Sequence, residues 1–97
     1  MFYMDDSYLP NNGTITSEIL KDSGFTHYIL DNFFEISVNN EYFIHIEKGY
    51  SNIDVENNWV VHIDDYTHCS IGSADIRTIK QFNTLMDVFN IHFKLKN

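Results

Sequence analysis

The stretch Phe33-Phe34-Glu35-Ile36-Ser37-Val38-Asn39-Asn40-Glu41-Tyr42-Phe43-Ile44-His45-Ile46-Glu47 decides the fold. Phe34, Ile36 and Val38 alternate with Glu35 and Ser37, the period of a strand buried on one side only. Asn39-Asn40 tolerates the left-handed backbone of a two-residue hairpin turn. On the return, Tyr42, Ile44 and Ile46 alternate with Phe43, His45 and Glu47. The result is an antiparallel hairpin with one apolar and one polar face. A hairpin alone is marginal, so it needs further strands and a cover for its apolar side.

Both lie downstream. Lys48-Gly49-Tyr50-Ser51-Asn52 and Asn57-Asn58 interrupt the pattern, after which Trp59, Val61 and Ile63 alternate with Val60, His62 and Asp64. Asp65-Tyr66 reads as a turn, and Thr67, Cys69 and Ile71 alternate with His68 and Ser70. The connections are too short for crossovers, so the strands form an antiparallel meander. The cover is a helix over 74–90, with Ser73 as cap, Asp75 in its first turn and Asn90 as a left-handed stop. Ile76, Ile79, Phe82, Leu85, Met86 and Phe89 form its apolar stripe. Ile91, Phe93 and Leu95 alternate after it, the pattern of a terminal strand.

Upstream, Thr16 or Ser17 caps a short helix that carries Glu18 in its first turn and ends at Gly24. Ile15, Ile19 and Leu20 lie on its buried side, and Phe25 folds back after the glycine. Residues 1–14, with Pro10, Asn11, Asn12 and Gly13, read as an irregular arm, and Asn12-Gly13-Thr14 is an idle glycosylation sequon. The expected class is α+β: an antiparallel meander of four or five strands packed against a C-terminal amphipathic helix, with a short N-terminal helix. The 97 residues form a single domain.

Composition narrows the function. Acids outnumber bases 14 to 6, for a net charge of −8, which argues against direct nucleic-acid binding because few cations are present to replace displaced counterions. Residues 1–76 hold all the acids except Asp87 and only Lys21 and Lys48 as bases, so the two ends of the chain differ in sign. No apolar run approaches a membrane span, Met1-Phe2-Tyr3-Met4-Asp5-Asp6 is acidic where a secretion signal is basic, and Cys69 is the lone cysteine. The expectation is a cytoplasmic protein without membrane contact.

Chemistry-bearing clusters are sparse. Four of the five histidines fall in alternating runs, and His45 and His62 share the outer face with Glu47 and Asp64. That set is the basis of an alternative reading, a small metal-binding protein or hydrolase, although no HxH, HxxxH or cysteine pair accompanies it. Cys69 reads as a small core residue, out of reach of His68 on the opposite face. Asp64-Asp65 suits a turn better than a calcium loop. Gly13, Gly24, Gly49 and Gly72 stand apart, so no phosphate loop is present, and no cofactor is implied. Phe33, Phe43, Tyr50 and Tyr66 fall on the outer side or in loops among acids, the composition of a protein-binding patch.

Asn58-Trp59-Val60-Val61-His62-Ile63, Ile71-Gly72-Ser73-Ala74-Asp75, Thr78-Ile79-Lys80-Gln81-Phe82 and Leu20-Lys21-Asp22-Ser23-Gly24-Phe25 together resemble small uncharacterised proteins of Bacteroidetes genomes and their phages. The resemblance spans roughly residues 17–95 and carries no activity with it. It implies a phage or mobile-element origin, which the abundance of Asn, Ile, Phe, Tyr and Lys, residues with A/T-rich codons, also suits. The expected function is therefore a non-enzymatic, acidic protein-binding module. In its sharpest form it is a phage inhibitor, of the anti-CRISPR kind, whose carboxylates mimic phosphates toward a basic nucleic-acid-binding effector. The expected contact residues are Glu35, Glu47, Asp64, Asp65, Phe33, Phe43 and Tyr66, with His45 and His62 as ligands in the metal alternative.

Overall fold

A computed structural model of the chain describes residues 13–49 and 58–96. Most of the arm, Tyr50 and the acids Asp54 and Glu56 lie outside those residues. Seven elements follow in order: α1 (Ser17–Asp22), β1 (Thr26–Tyr28), β2 (Phe33–Val38), β3 (Tyr42–Lys48), β4 (Trp59–Asp65), β5 (Ser70–Ile76) and α2 (Ile79–Val88). The five strands form one antiparallel sheet in the order β1-β2-β3-β4-β5. The architecture is the expected α+β meander.

The central hairpin turns where expected, with one difference. Asn39 and Asn40 both take positive φ, 54° and 58°. However, Val38 pairs with Tyr42, so Glu41 is an extra residue and the connection has three residues rather than two. The extra residue sets the parity of the sheet. It places Ile36 opposite Ile44 and Phe34 opposite Ile46; a two-residue loop would set Ile36 against Phe43 and mix the faces.

The inward residues Phe34, Val38, Ile44, Ile46, Trp59, Val61, Ile63 and Ile76 are buried. They form one cluster with Ile15 and Leu20 on the N-terminal side, Ile79, Phe82 and Met86 of α2, and Ile91 and Leu95 of the tail. Phe25, Phe82 and Phe93 pack edge to face, with ring centroids 5.8–6.3 Å apart. The buried Trp59 indole N–H donates to the Ile15 carbonyl at 3.1 Å, tying the N-terminal segment to β4. Both helices bury their apolar sides in this cluster and so cover the same face of the sheet.

Both helices stop as expected. Gly24 (φ 108°) and Asn90 (φ 57°) each follow a helix in a left-handed conformation. The amides of Phe25 and Ile91 reach back to the Leu20 and Met86 carbonyls, which closes each helix in a Schellman turn.

Four local expectations are corrected. The last strand runs to Ile76, and α2 begins after Thr78, whose side chain forms a capping box with Gln81; Ser73 and Asp75 are therefore strand residues. A bulge between Ile63 and Asp64 pushes Ile71 out of alternation and leaves it 38% exposed. Cys69 is not a core residue; it is exposed in the β4–β5 loop beside His68. The tail forms no strand: the amides of Leu95 and Lys96 instead bond the side chains of Asn83 and Ser23.

Two stability predictions follow from the packing. Phe82→Ala is expected to cost about 3–5 kcal/mol in urea unfolding; a loss below about 1 kcal/mol would contradict its place in the core. A Cβ on Gly72 would lie 2.3 Å from the Phe89 ring, so Gly72→Ala is expected to destabilise despite alanine's stiffer backbone. Because the clash is with Phe89, adding Phe89→Ala is expected to cost less than the two single losses together. Strict additivity would place Phe89 elsewhere.

Candidate functional site

The outer face of the sheet is a grid laid down by strand register. One row reads Tyr28, Phe33, Glu47, Val60, Asp75; the next reads Thr26, Glu35, His45, His62, Ser73. Ser37, Phe43, Asp64 and Ser70 make the third. These strand positions hold four carboxylates, two imidazoles and three aromatic rings, and no lysine or arginine.

Stacking orders the grid. Tyr28 stacks on Phe33 at 4.7 Å, and Phe33 on His45 at 4.3 Å. His45 stands directly across from His62, with ring centroids 5.8 Å apart. The β4–β5 loop brings His68, at φ 67°, onto the Phe43 ring at 4.6 Å. Tyr28 and His68 are exposed and Phe33, Phe43, His45 and His62 half-buried, while the stacking limits ring rotation, which lowers the entropy lost when they are covered.

The carboxylates surround the imidazoles. Glu47 lies 3.7 Å from His45 Nε2 and 3.8 Å from His62 Nε2, and Glu35 lies 3.9 Å from His45 Nδ1. The pairing of His45 with His62 and Glu47 is the one expected from alternation. Glu35 joins them because parity places it across from His45, whereas Asp64 stands opposite Phe43. Among the described residues, no group of three His, Cys, Asp or Glu side chains is placed to hold a metal ion.

Of the expected contact residues, Phe33, Glu35, Phe43, Glu47 and Asp64 share this face. Asp65 does not. It pairs with Tyr42 at the opposite parity, and its Oδ1 accepts from Thr67 N–H (2.8 Å), Thr67 Oγ1–H (2.6 Å) and Cys69 N–H (3.0 Å). Tyr66 follows in the loop, 69% exposed. Sequence reasoning did not find β1 or the tip that follows it, where Ile29 and Leu30 are exposed. Asp31-Asn32 was the available turn signal.

No match to this chain was found among protein-family models, curated proteins or solved structures. No helix among the described residues is long and apolar enough to cross a membrane.

The loop makes a pH prediction. The Thr67 hydroxyl, and then the Cys69 amide, hold the Asp65 carboxyl below the usual carboxylate range. A carboxyl lowered in the folded state stabilises the fold above its ordinary range, and this support is lost as pH falls through the lowered value. The Asp65 carboxyl resonance is therefore expected to titrate below that of exposed aspartates, and Thr67→Ala is expected to raise it. An ordinary Asp65 midpoint that Thr67→Ala leaves in place would show that the turn does not hold in solution.

Proposed function

We propose that the chain is a small acidic protein-binding module that docks a basic, nucleic-acid-binding partner through the outer face of its sheet. The observation that carries this reading is the composition of that face: stacked Tyr28, Phe33 and Phe43 with their imidazoles, set among Glu35, Glu47, Asp64 and Asp75 without a lysine or arginine at its strand positions. Both helices lie on the other side, so no described element covers it. Aromatics supply contact area at low entropic cost, and carboxylates at strand spacing offer an array for lysine and arginine side chains that otherwise meet phosphates. The resemblance to phage proteins directs the reading to a host defence effector as target and to inhibition by occupancy, as anti-CRISPR proteins do. On this reading the chain performs no catalysis and needs no cofactor.

The reading makes a prediction that purified components can test. The wild-type chain, immobilised, is expected to retain a nucleic-acid-binding protein from a bacterial lysate at low salt. The purified pair is expected to associate more slowly as salt screens the charges over about 8–10 Å. The triple variant Glu35→Lys, Glu47→Lys, Asp64→Lys is expected to stay folded by circular dichroism, because half-buried charges on a solvated sheet face contribute little to stability, and to lose binding. Binding that survives both high salt and the reversals would contradict the charge account. One metal per chain, lost on His45→Ala with His62→Ala, would favour the metal-binding alternative instead.

A further inference from the structure

The apolar tip of the β1–β2 hairpin stands out among the described residues. Ile29 is 77% exposed and the adjacent Leu30 is 100% exposed, beside Tyr28 at 44%. Scattered apolar residues are ordinary on a protein surface, but two consecutive branched aliphatics left in water at a loop tip are not. The tip is also held in place. The Asn32 amide donates to the Ile29 carbonyl at 3.2 Å, and Asn32 takes a left-handed φ of 54°. The Asn32 side chain lies 3.4 Å from His27 Nε2, and His27 is itself stacked on buried Phe34 at 4.1 Å. Tyr28 continues from the tip into the Phe33–His45 stack, so the apolar tip and the acidic outer face form one continuous surface.

We propose that Ile29 and Leu30 are the apolar anchor of this surface, inserted into a hydrophobic pocket rimmed by lysine or arginine on the partner protein. This rests on the reading of the outer face as a docking surface for a basic protein. Charge selects the occupant. Asp31 adjoins the tip, Glu35 and Glu47 stand on the two strands behind it, and residues 22–47 contain no lysine or arginine. An anionic lipid surface is attracted by basic flanks, which this tip lacks. A second copy meeting tip to tip would set the same carboxylates against each other. A cationic rim complements them, and a preformed tip loses little freedom on insertion.

The test uses the 97-residue chain and the purified protein that it retains from a bacterial lysate at low salt; retention of no protein would overturn the proposal together with the reading it rests on. Ile29→Ser with Leu30→Ser is expected to keep the wild-type circular dichroism and melting temperature. It is also expected to weaken binding at least about tenfold at low and at high salt, leaving the salt dependence as steep as in the wild type. Wild-type affinity in this variant, alongside loss of binding in the Glu35, Glu47, Asp64 reversal, would overturn the anchor and leave the acidic face standing. Loss of binding in the tip variant with no effect of the reversal would overturn the charge-selected partner, and with it the proposal. Pelleting of the wild type with phosphatidylglycerol–phosphatidylcholine vesicles, or a concentration-dependent dimer abolished by the serine substitutions, would assign the tip to lipid or to a second copy and overturn the proposal.

Discussion

In an antiparallel sheet, residues that face each other across two strands lie on the same side, so a loop of the wrong parity exchanges core for solvent along the whole pair. Here Glu41, the third residue of the β2–β3 connection, keeps Ile36 on Ile44 and Phe34 on Ile46. The register of β4 continues that order, with Ile44 on Ile63 and Ile46 on Val61. The alternating apolar residues of β2, β3 and β4 thus reach one face. Both helices and the C-terminal tail are recruited to that face, because it is the one with apolar area to bury.

The same parity creates the other face. Once the alternating apolar residues turn inward, Glu35, His45 and His62 fall into line across three strands, with Glu47 one row away reaching both imidazoles. Phe33 and Phe43 depart from polar-out alternation, as Val60 does, and each of the two rings is stacked under an imidazole rather than packed in the core. The tip residues Ile29 and Leu30 extend this surface beyond the sheet edge. A one-sided sheet with aromatic and aliphatic groups on its acidic side, which no described element covers, is the arrangement from which protein binding is inferred.

Much of this was legible in the residues. The alternation at 33–47 and 59–63 and the stops at Gly24 and Asn90 each carry a local physical signal, and the structure follows them. What was not legible has equally local causes. The inward positions of β5 before Ile76 are Gly72 and Ala74, too small to show as an apolar period. At Gly72 the Phe89 ring occupies the space that a side chain would need. Ser73 and Asp75 therefore read as a helix start, although Thr78 and Gln81 spell a capping box five residues later. The bulge at Ile71 cannot be seen from alternation, and β1 has three residues, fewer than a period needs. On the candidate site, the place of Glu35 beside His45 depends on loop parity, which Asn39-Asn40 alone does not set. The exposure of Ile29-Leu30 carries no sequence signal, because apolar pairs are usually buried.

The central claim is that binding covers the outer face and its tip, not the helices. Hydroxyl-radical footprinting of the complex with its basic partner tests it most directly, since it reports the solvent access of individual side chains. Tyr28, Leu30, Phe33, Phe43, His45 and His62 are expected to lose reactivity, while exposed Val88 on α2 and His92 in the tail keep theirs. Protection of Val88 and His92, with the outer-face residues as reactive as in the isolated chain, would contradict the account.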